Sequence, residues 1–416
     1  MTKTKNSGIM WCSKIPVHWK VMHNKYIIKK VKNIKQKYDG EKILSLTIKG
    51  VVVRDLDSGG KMPSSFDGYQ ILTPGNLLMC LFDYDVTPRC IGIIGNRGVS
   101  SPAYSQFRMV GGNSAKFYYY YFLMLDNTKE LLHLAKNLRH SFTEEQLGQI
   151  LSPVPPIPEQ EKIANFLDIK CSEIDSLVAD IQKEISILEE YRKSVITESV
   201  TNGINPNEEM QYCGLDYIGR YPSAWKLIKL KYAFNERNER SLTGSEMLLS
   251  VSQHKGVVPS SEIKMKTMQA NSLIGYKKVK KDDLVFNKLN PALARFGTSE
   301  YDGITSPEFA VYIIDHQIFY TKFLEYILRT DKYSKEYARV TIGVGDGYTR
   351  LYTNQLGNIY VVAPPLREQK KILLKIKEKI TYIDKIITDK QNQLSILSEY
   401  KKSLIYEYVT GKKEVI

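Results

Sequence analysis

Basic and amide side chains are where this 416-residue chain has chemistry to offer. They fall in two sets, both in stretches broken by glycine, proline and asparagine. Lys49, Arg54, Arg89, Arg97, Arg108 and Arg139 form the first, and Gln253, His254, Lys255, Lys288, Arg295 and Arg350 the second. Arginine and lysine donate to phosphate oxygens and guanine edges, and amides pair with adenine edges, so both sets are candidates for reading a nucleic acid. Any one of them alone also reads as a solvated surface charge. The whole-chain balance supports the first reading: 59 Lys+Arg against 45 Asp+Glu gives a net +14, spread along the chain as for a protein with a polyanionic partner.

No residue pattern points to catalysis. The phosphate-cradling G-x-x-x-x-G-K-[ST] is absent. Gly343-Val344-Gly345-Asp346-Gly347 is glycine-dense but opens no helix, which fits a mobile loop near a ligand. Asn290-Pro291-Ala292-Leu293 lacks the second proline and the aromatic of an adenine-methylating Asn-Pro-Pro-Tyr, and no glycine-rich cofactor loop accompanies it. Asp83/Asp85 and Asp282/Asp283 lack the lysine spacing of a metal nuclease and read as turns. The six histidines and five cysteines are scattered, with no C-x-x-C, which fits reduced intracellular thiols without a metal site. No catalytic residue, metal site or cofactor site is expected in this chain.

The elements that position the basic residues come from a repeat. Pro155-Pro156-Ile157-Pro158-Glu159-Gln160 returns as Pro364-Pro365-Leu366-Arg367-Glu368-Gln369, and 368 − 159 gives an offset of 209. A fixed-period echo that continues through Tyr191/Tyr400 to Thr201/Thr410 is one unit written twice. The proline pair stops any preceding helix, an acidic first turn suits a helix start, and Gly203 and Gly411 end the pattern. Between them, apolar residues at steps of three and four predict a narrow seam. It takes Ile174, Leu177, Ile181, Leu188, Tyr191 and Val195 in the first copy, and Ile383, Leu394, Leu397, Tyr400 and Leu404 in the second. Two cognate seams in one chain predict that the helices pair, antiparallel if the modules before them are to sit at opposite ends.

Each half also opens alike, with Pro16-x-x-Trp19-Lys20 and Pro222-x-x-Trp225-Lys226. Both tryptophans read as packing anchors. Between anchor and helix lie short β-branched runs bounded by turn residues. Leu44-Ser45-Leu46 with Gly50-Val51-Val52 matches Leu249-Ser250-Val251 with Gly256-Val257-Val258, and aromatic helical stretches follow at Tyr118 to Leu138 and Phe319 to Tyr337. The expected fold is α/β (α+β): two modules with small mixed or antiparallel sheets, separated by two long helices pairing as an antiparallel coiled coil, with a pseudo-two-fold internal repeat. The segments are 1–154, 155–204, 205–363 and 364–416. No run approaches the roughly 18 apolar residues of a membrane span. The start, Met1-Thr2-Lys3-Thr4-Lys5, leads into no apolar core, so no signal peptide, no membrane contact and a cytoplasmic location are expected.

This plan resembles the specificity subunit of Type I restriction–modification systems. The resemblance runs over essentially the whole chain, on the paired Pro-x-x-Trp openings, the Pro-x-x-Glu-Gln helix starts and the Tyr191/Tyr400 segments. It implies that 1–154 and 205–363 are target recognition domains and that 155–204 and 364–416 are the repeated spacer helices. The partners implied are double-stranded DNA with a bipartite target, two methyltransferase subunits, and restriction subunits. S-adenosylmethionine, ATP and Mg would be held by those partner subunits, and none in this chain. Recognition residues do not carry over within such a family, so the two basic sets stay a reading of this sequence alone. The rival readings are a stand-alone DNA-binding repressor and a helical scaffold without methyltransferase partners.

Overall fold

The computed structural model describes residues 3–56, 63–135, 140–253, 256–263, 272–343 and 348–415. Arg139, His254, Lys255 and residues 344–347 of the glycine-dense loop lie outside them. Both long helices form: Ile157–Asn202, 46 residues, and Leu366–Val409, 44 residues. The chain packs into two compact units, Met1–Gln182 with Lys390–Ile416, and Lys183–Asp389. The segments read from the sequence and the compact units do not coincide, because each helix starts in one unit and ends in the other.

In the first unit the antiparallel sense follows from two contacts. Phe166 packs on Tyr408 with ring centroids 4.5 Å apart, and Lys401 Nζ donates to Asp175 at 2.6 Å, so one index rises as the other falls. In the second unit Arg192 pairs with Asp384 at 3.1 Å. The seam is displaced from the one expected. Ile174, Val195, Ile383 and Leu404 are buried, and Ile181, Leu188, Leu394 and Leu397 are half-buried. Leu177, Tyr191 and Tyr400 are instead exposed, at 52%, 52% and 54%. Val178 takes the half-buried place assigned to Leu177, and the steps Cys171, Ile174, Val178, Ile181 and Ile185 keep the seven-residue alternation that Leu177 breaks.

In each unit the strands repeat one plan, and every named ladder is antiparallel. The first unit has a four-stranded sheet in the order Ile28–Val31, Ser105–Met109, Leu77–Met79, Ile91–Ile93. The second has Phe234–Glu236, Phe309–Ile314, Leu284–Asn287, Phe296–Thr298. The matched runs form the hairpins Leu44–Thr47 with Gly50–Val53, and Leu249–Ser252 with Gly256–Pro259. Parallel pairing occurs among the described residues only as isolated bridges, Ile43 to Val99 and Leu248 to Ile304. The aromatic stretches are each two helices rather than one. Ala115–Thr128 ends where Lys129 turns left-handed at φ 54°, and Thr321–Leu328 is followed by Asp331–Val340 across an extended Thr330.

The tryptophan anchors explain the helix-start motif. Trp19 and Trp225 are 0% and 2% exposed, each edge-on to a phenylalanine, Phe117 at 6.3 Å and Phe323 at 6.5 Å. Trp19 Nε1 donates to Glu159 Oε1 and Trp225 Nε1 to Glu368 Oε2, both at 3.0 Å. A Cβ on Gly411 would collide with Pro16 and lie 3.0 Å from Trp19, and one on Gly203 would lie 3.2 Å from Trp225. With φ of +70° and +73°, these glycines end one helix against the anchor that starts the next. The Pro-x-x-Glu-Gln motif is thus a joint between the tryptophan anchor and the helix start.

Candidate nucleic-acid interface

The basic residues expected to act together divide by local structure. In the first unit Lys49 is exposed in the tight turn of the first hairpin, whose closing Gly50 has φ +92°. Arg54 is half-buried just beyond that hairpin, and Arg97 is exposed in the turn before Gly98–Ser100. Gly98 is fixed there because a Cβ would strike the Lys42 carbonyl; Gly303 meets Met247 in the same way in the second unit. Arg89 is half-buried and donates Nη1 to the Tyr119 hydroxyl at 3.1 Å, which makes it a packing residue. Arg108 is exposed on its strand, directly opposite Lys29.

The second unit gathers its candidates more tightly. Lys288 and Arg350 lie on adjoining chain segments, joined by the Leu289–Arg350 bridge and by Leu351 N donating to Lys288 O at 3.0 Å. Burial depresses the Lys288 ammonium, and Lys277, Arg350 and Arg240 add repulsion that Glu236 only partly offsets. A cation held at a disadvantage among cations is relieved by an incoming anion. Arg350 itself pairs with Glu308 and lies 5.8 Å from the Tyr352 ring. Arg295 is exposed beyond a turn, Pro291–Leu293, whose flanks Asn290 and Ala294 are both left-handed, at φ 47° and 48°. Strain of that kind at non-glycine residues persists only where the surroundings fix it. Asn290 Oδ1 accepts from Thr349 N at 3.0 Å, so the Asn-Pro pair is a clip between loops.

Gln253 is exposed at the turn of the second hairpin, and a buried ion pair holds that turn. Arg329 donates Nη1 to the Gln253 carbonyl at 3.0 Å and Nε to Glu325 at 3.0 Å. Glu325, 4% exposed, also accepts from Thr298 N at 3.0 Å and from Lys322 at 2.8 Å. Burial pushes the Glu325 carboxyl up, but Lys322 and Arg329 outweigh it and hold it below the usual range. A depressed folded pKa stabilises the protein above the unfolded value, about 4.3, and that contribution is lost as pH falls through the folded pKa. Glu325→Gln is therefore expected to destabilise the protein at pH 7, by about 3 kcal/mol for a broken buried pair. The difference from the unsubstituted chain should shrink below about pH 4. Urea titrations at pH 7 and pH 3.5 check this, and a pH-independent difference would remove the charge from the argument.

Sequence reading missed one repeated element. The short helices Glu144–Gln149 and Thr353–Gly357 each carry a capping box closed by Gln146 or Gln355, and 355 − 146 again gives 209. The repeat therefore opens before the proline pairs, and Gln146-Leu147-Gly148 against Gln355-Leu356-Gly357 was the available signal. Among the described residues no group of three or more His, Cys, Asp or Glu side chains could hold a metal, and no helix is long and apolar enough to cross a membrane. What the loops present is exposed donors, Lys49 and Arg97 in the first unit and Gln253 and Arg295 in the second.

No family model matches the sequence. The chain is 25% identical over 276 residues to the Type I restriction enzyme MjaVIII specificity subunit of Methanocaldococcus jannaschii, covering 63% of this chain and 62% of that protein. It is 22% identical over 294 residues to the EcoBI specificity subunit of Escherichia coli, covering 65% and 60%. The alignments thus span less than two thirds of these relatives. In fold, it matches a chain from work on complex assembly and conformational transition of the type I R-M system, with TM-score 0.68, 11% identity, and 96% and 99% of the two chains covered. The HsdS subunit of Thermoanaerobacter tengcongensis gives TM-score 0.50 at 11% identity over 96% and 98%. In its duplicated frame and paired anchors, as in sequence and fold, the chain is thus similar to specificity subunits of Type I restriction–modification systems.

Proposed function

We propose that the chain is the non-catalytic, sequence-reading subunit of such a system, recognising a bipartite duplex target. In this reading 1–154 and 205–363 each read one half-site, and the helices 155–204 and 364–416 set the spacer between them. Methyltransferase and restriction subunits, working in the cytoplasm, supply S-adenosylmethionine, ATP and Mg chemistry. The observation that carries it is the repetition of one strand plan in both units while the loop residues differ. Lys49 and Arg97 present one donor set, and Gln253, Lys288 and Arg295 another. Readers on a common frame with unlike loops suit two unlike half-sites.

The displaced seam residues suggest where methyltransferase subunits dock. Ile187 and Tyr191 are exposed one turn apart at 54% and 52%, and Ile396 and Tyr400 at 67% and 54%, in register at 396 − 187 = 209. Exposed Ile–Tyr pairs on otherwise polar helices are interface composition, and two equal patches suit two equal partners. Tyr191→Asp with Tyr400→Asp should abolish co-purification with the methyltransferase subunit and leave the melting curve of the isolated chain in place. Undiminished co-purification would move the docking site elsewhere.

The test of the whole reading is co-expression with the neighbouring methyltransferase, followed by mapping of N6-methyladenine on plasmid DNA. A two-part motif with a fixed gap is expected; unmodified DNA would count against it. A gel shift with the chain alone separates the stand-alone repressor. A salt-independent affinity would favour the scaffold, since phosphate neutralisation gives a steep log–log slope.

A further inference from the structure

Half-site readers must differ wherever they touch bases, so an exposed feature kept in both units serves something the two half-sites share. Lys25–Tyr26 and Lys231–Tyr232 are such a feature, at the tryptophan offset, since 231 − 25 and 225 − 19 both give 206. They lie in matched 3-10 turns, Asn24–Tyr26 and Leu230–Tyr232. Asn24 N donates to Ile150 O at 2.8 Å and Leu230 N to Ile359 O at 2.9 Å. Behind each turn stands the glycine of the short repeated helix. A Cβ on Gly148 would lie 3.5 Å from Lys25 Cβ, and one on Gly357 3.1 Å from Lys231 Cβ. Both turns are therefore packed against the frame of their own unit.

Their side chains, however, are left open. Tyr26 and Tyr232 are 55% and 64% exposed, with the preceding lysine Nζ 5.2 and 5.3 Å from the ring centroid. Neither lysine has a carboxylate within ion-pair distance among the described residues. Packing needs neither side chain, yet the pair recurs. Protein interfaces favour tyrosine but disfavour lysine, whereas DNA phosphates accept hydrogen bonds from both. In the first unit the surface beside the turn adds Lys29 and Arg108, exposed and directly opposite across the ladder. Like charges so placed repel, and an anion relieves them.

We propose that Lys25–Tyr26 and Lys231–Tyr232 each grip the DNA sugar–phosphate backbone next to a half-site. This rests on the functional reading above, the backbone being what two unlike half-sites have in common. The lysine neutralises a phosphate and the tyrosine hydroxyl donates to the same or the adjoining one. Neither contributes to sequence choice.

The experiment uses the chain assembled with its methyltransferase partner and measures anisotropy of a labelled target duplex and a scrambled duplex across a salt series. Lys25→Gln with Lys231→Gln is expected to weaken both duplexes by the same factor and to flatten the log–log salt slope by about 2, roughly 0.9 per phosphate contact. The methylated sequence should be unchanged, and Lys25→Arg with Lys231→Arg should restore the slope. An unaltered slope in the glutamine variant overturns the proposal, and so does lost methyltransferase assembly with DNA binding intact, which would make the turns a protein contact. Assembled unsubstituted protein that shows no salt-dependent binding at all would instead fell the functional reading, and this inference with it.

Discussion

Exchanging Gln160 for leucine should lower the stability of the protein by about 2–5 kcal/mol, although the two side chains are similar in size. Gln160 is 0% exposed at the start of the first long helix. Its Oε1 accepts from Ser114 N at 2.9 Å, and its Nε2 donates to Pro155 O and to Asn113 Oδ1, both at 2.9 Å. Leucine would leave the half-buried Ser114 N–H and the buried Pro155 C=O without these partners, each worth about 1–3 kcal/mol. Ser114 also caps the aromatic helix Ala115–Thr128, so the loss reaches the element on which Trp19 packs. Gln369→Leu should act alike, since Gln369 is 0% exposed, accepts from Tyr320 N at 3.0 Å, and donates to Ile318 O at 2.7 Å and Pro364 O at 2.8 Å. Urea unfolding reads the effect, and a change under about 0.5 kcal/mol for both would mean that the amide is not a joint. Gln160→Glu sharpens the test. A carboxylate facing two carbonyl oxygens is favoured only when protonated, so its folded pKa is raised and the deficit should be smallest at low pH and grow as pH rises.

These joints mark how far the sequence could be read. The repeat, the glycine stops, the tryptophan anchors and both hairpins follow from residue type and spacing, because each depends on neighbours close along the chain. The seam was legible in period but not in phase. Leu177 and Val178 are adjacent and both apolar, and only the facing helix decides which turns inward. Tyr191 and Tyr400 misled for a related reason, since an aromatic at a heptad position is apolar whether it packs or waits for a partner. The roles of Glu159 and Gln160 were hidden because their partners, Trp19 and Ser114, lie 140 and 46 residues away. The basic sets were harder still. Nothing local distinguishes Arg89, spent on Tyr119, from Arg97, which is exposed. The Lys288 and Arg350 neighbourhood depends on a chain return that no short-range pattern records.

If the long helices set the gap between half-sites, lengthening both by one heptad should lengthen the methylated motif's unspecified spacer and leave its two specified ends unaltered. The places to insert are between Gln182 and Lys183 and between Asp389 and Lys390, where the chain passes from one unit to the other. Seven residues return a heptad seam to the same face, so Ile174 and Ile181 on one side and Ile185 and Leu188 on the other keep their inward positions. An insertion of two residues rotates one half of the seam away and should abolish assembly instead. At about 1.5 Å per residue the heptad adds roughly 10 Å. At about 3.4 Å per base pair that is an upper bound of about three added base pairs, reached only if the helices run parallel to the duplex axis. Each reader keeps its own loops in such a variant, so Lys49 and Arg97, or Lys288 and Arg295, have no reason to accept different bases. Mapping N6-methyladenine in cells that carry the lengthened chain and its methyltransferase tests both halves of the argument. An unchanged gap would show that the spacing is set outside the helices, and altered half-sites would show that recognition is not confined to the loops of each unit.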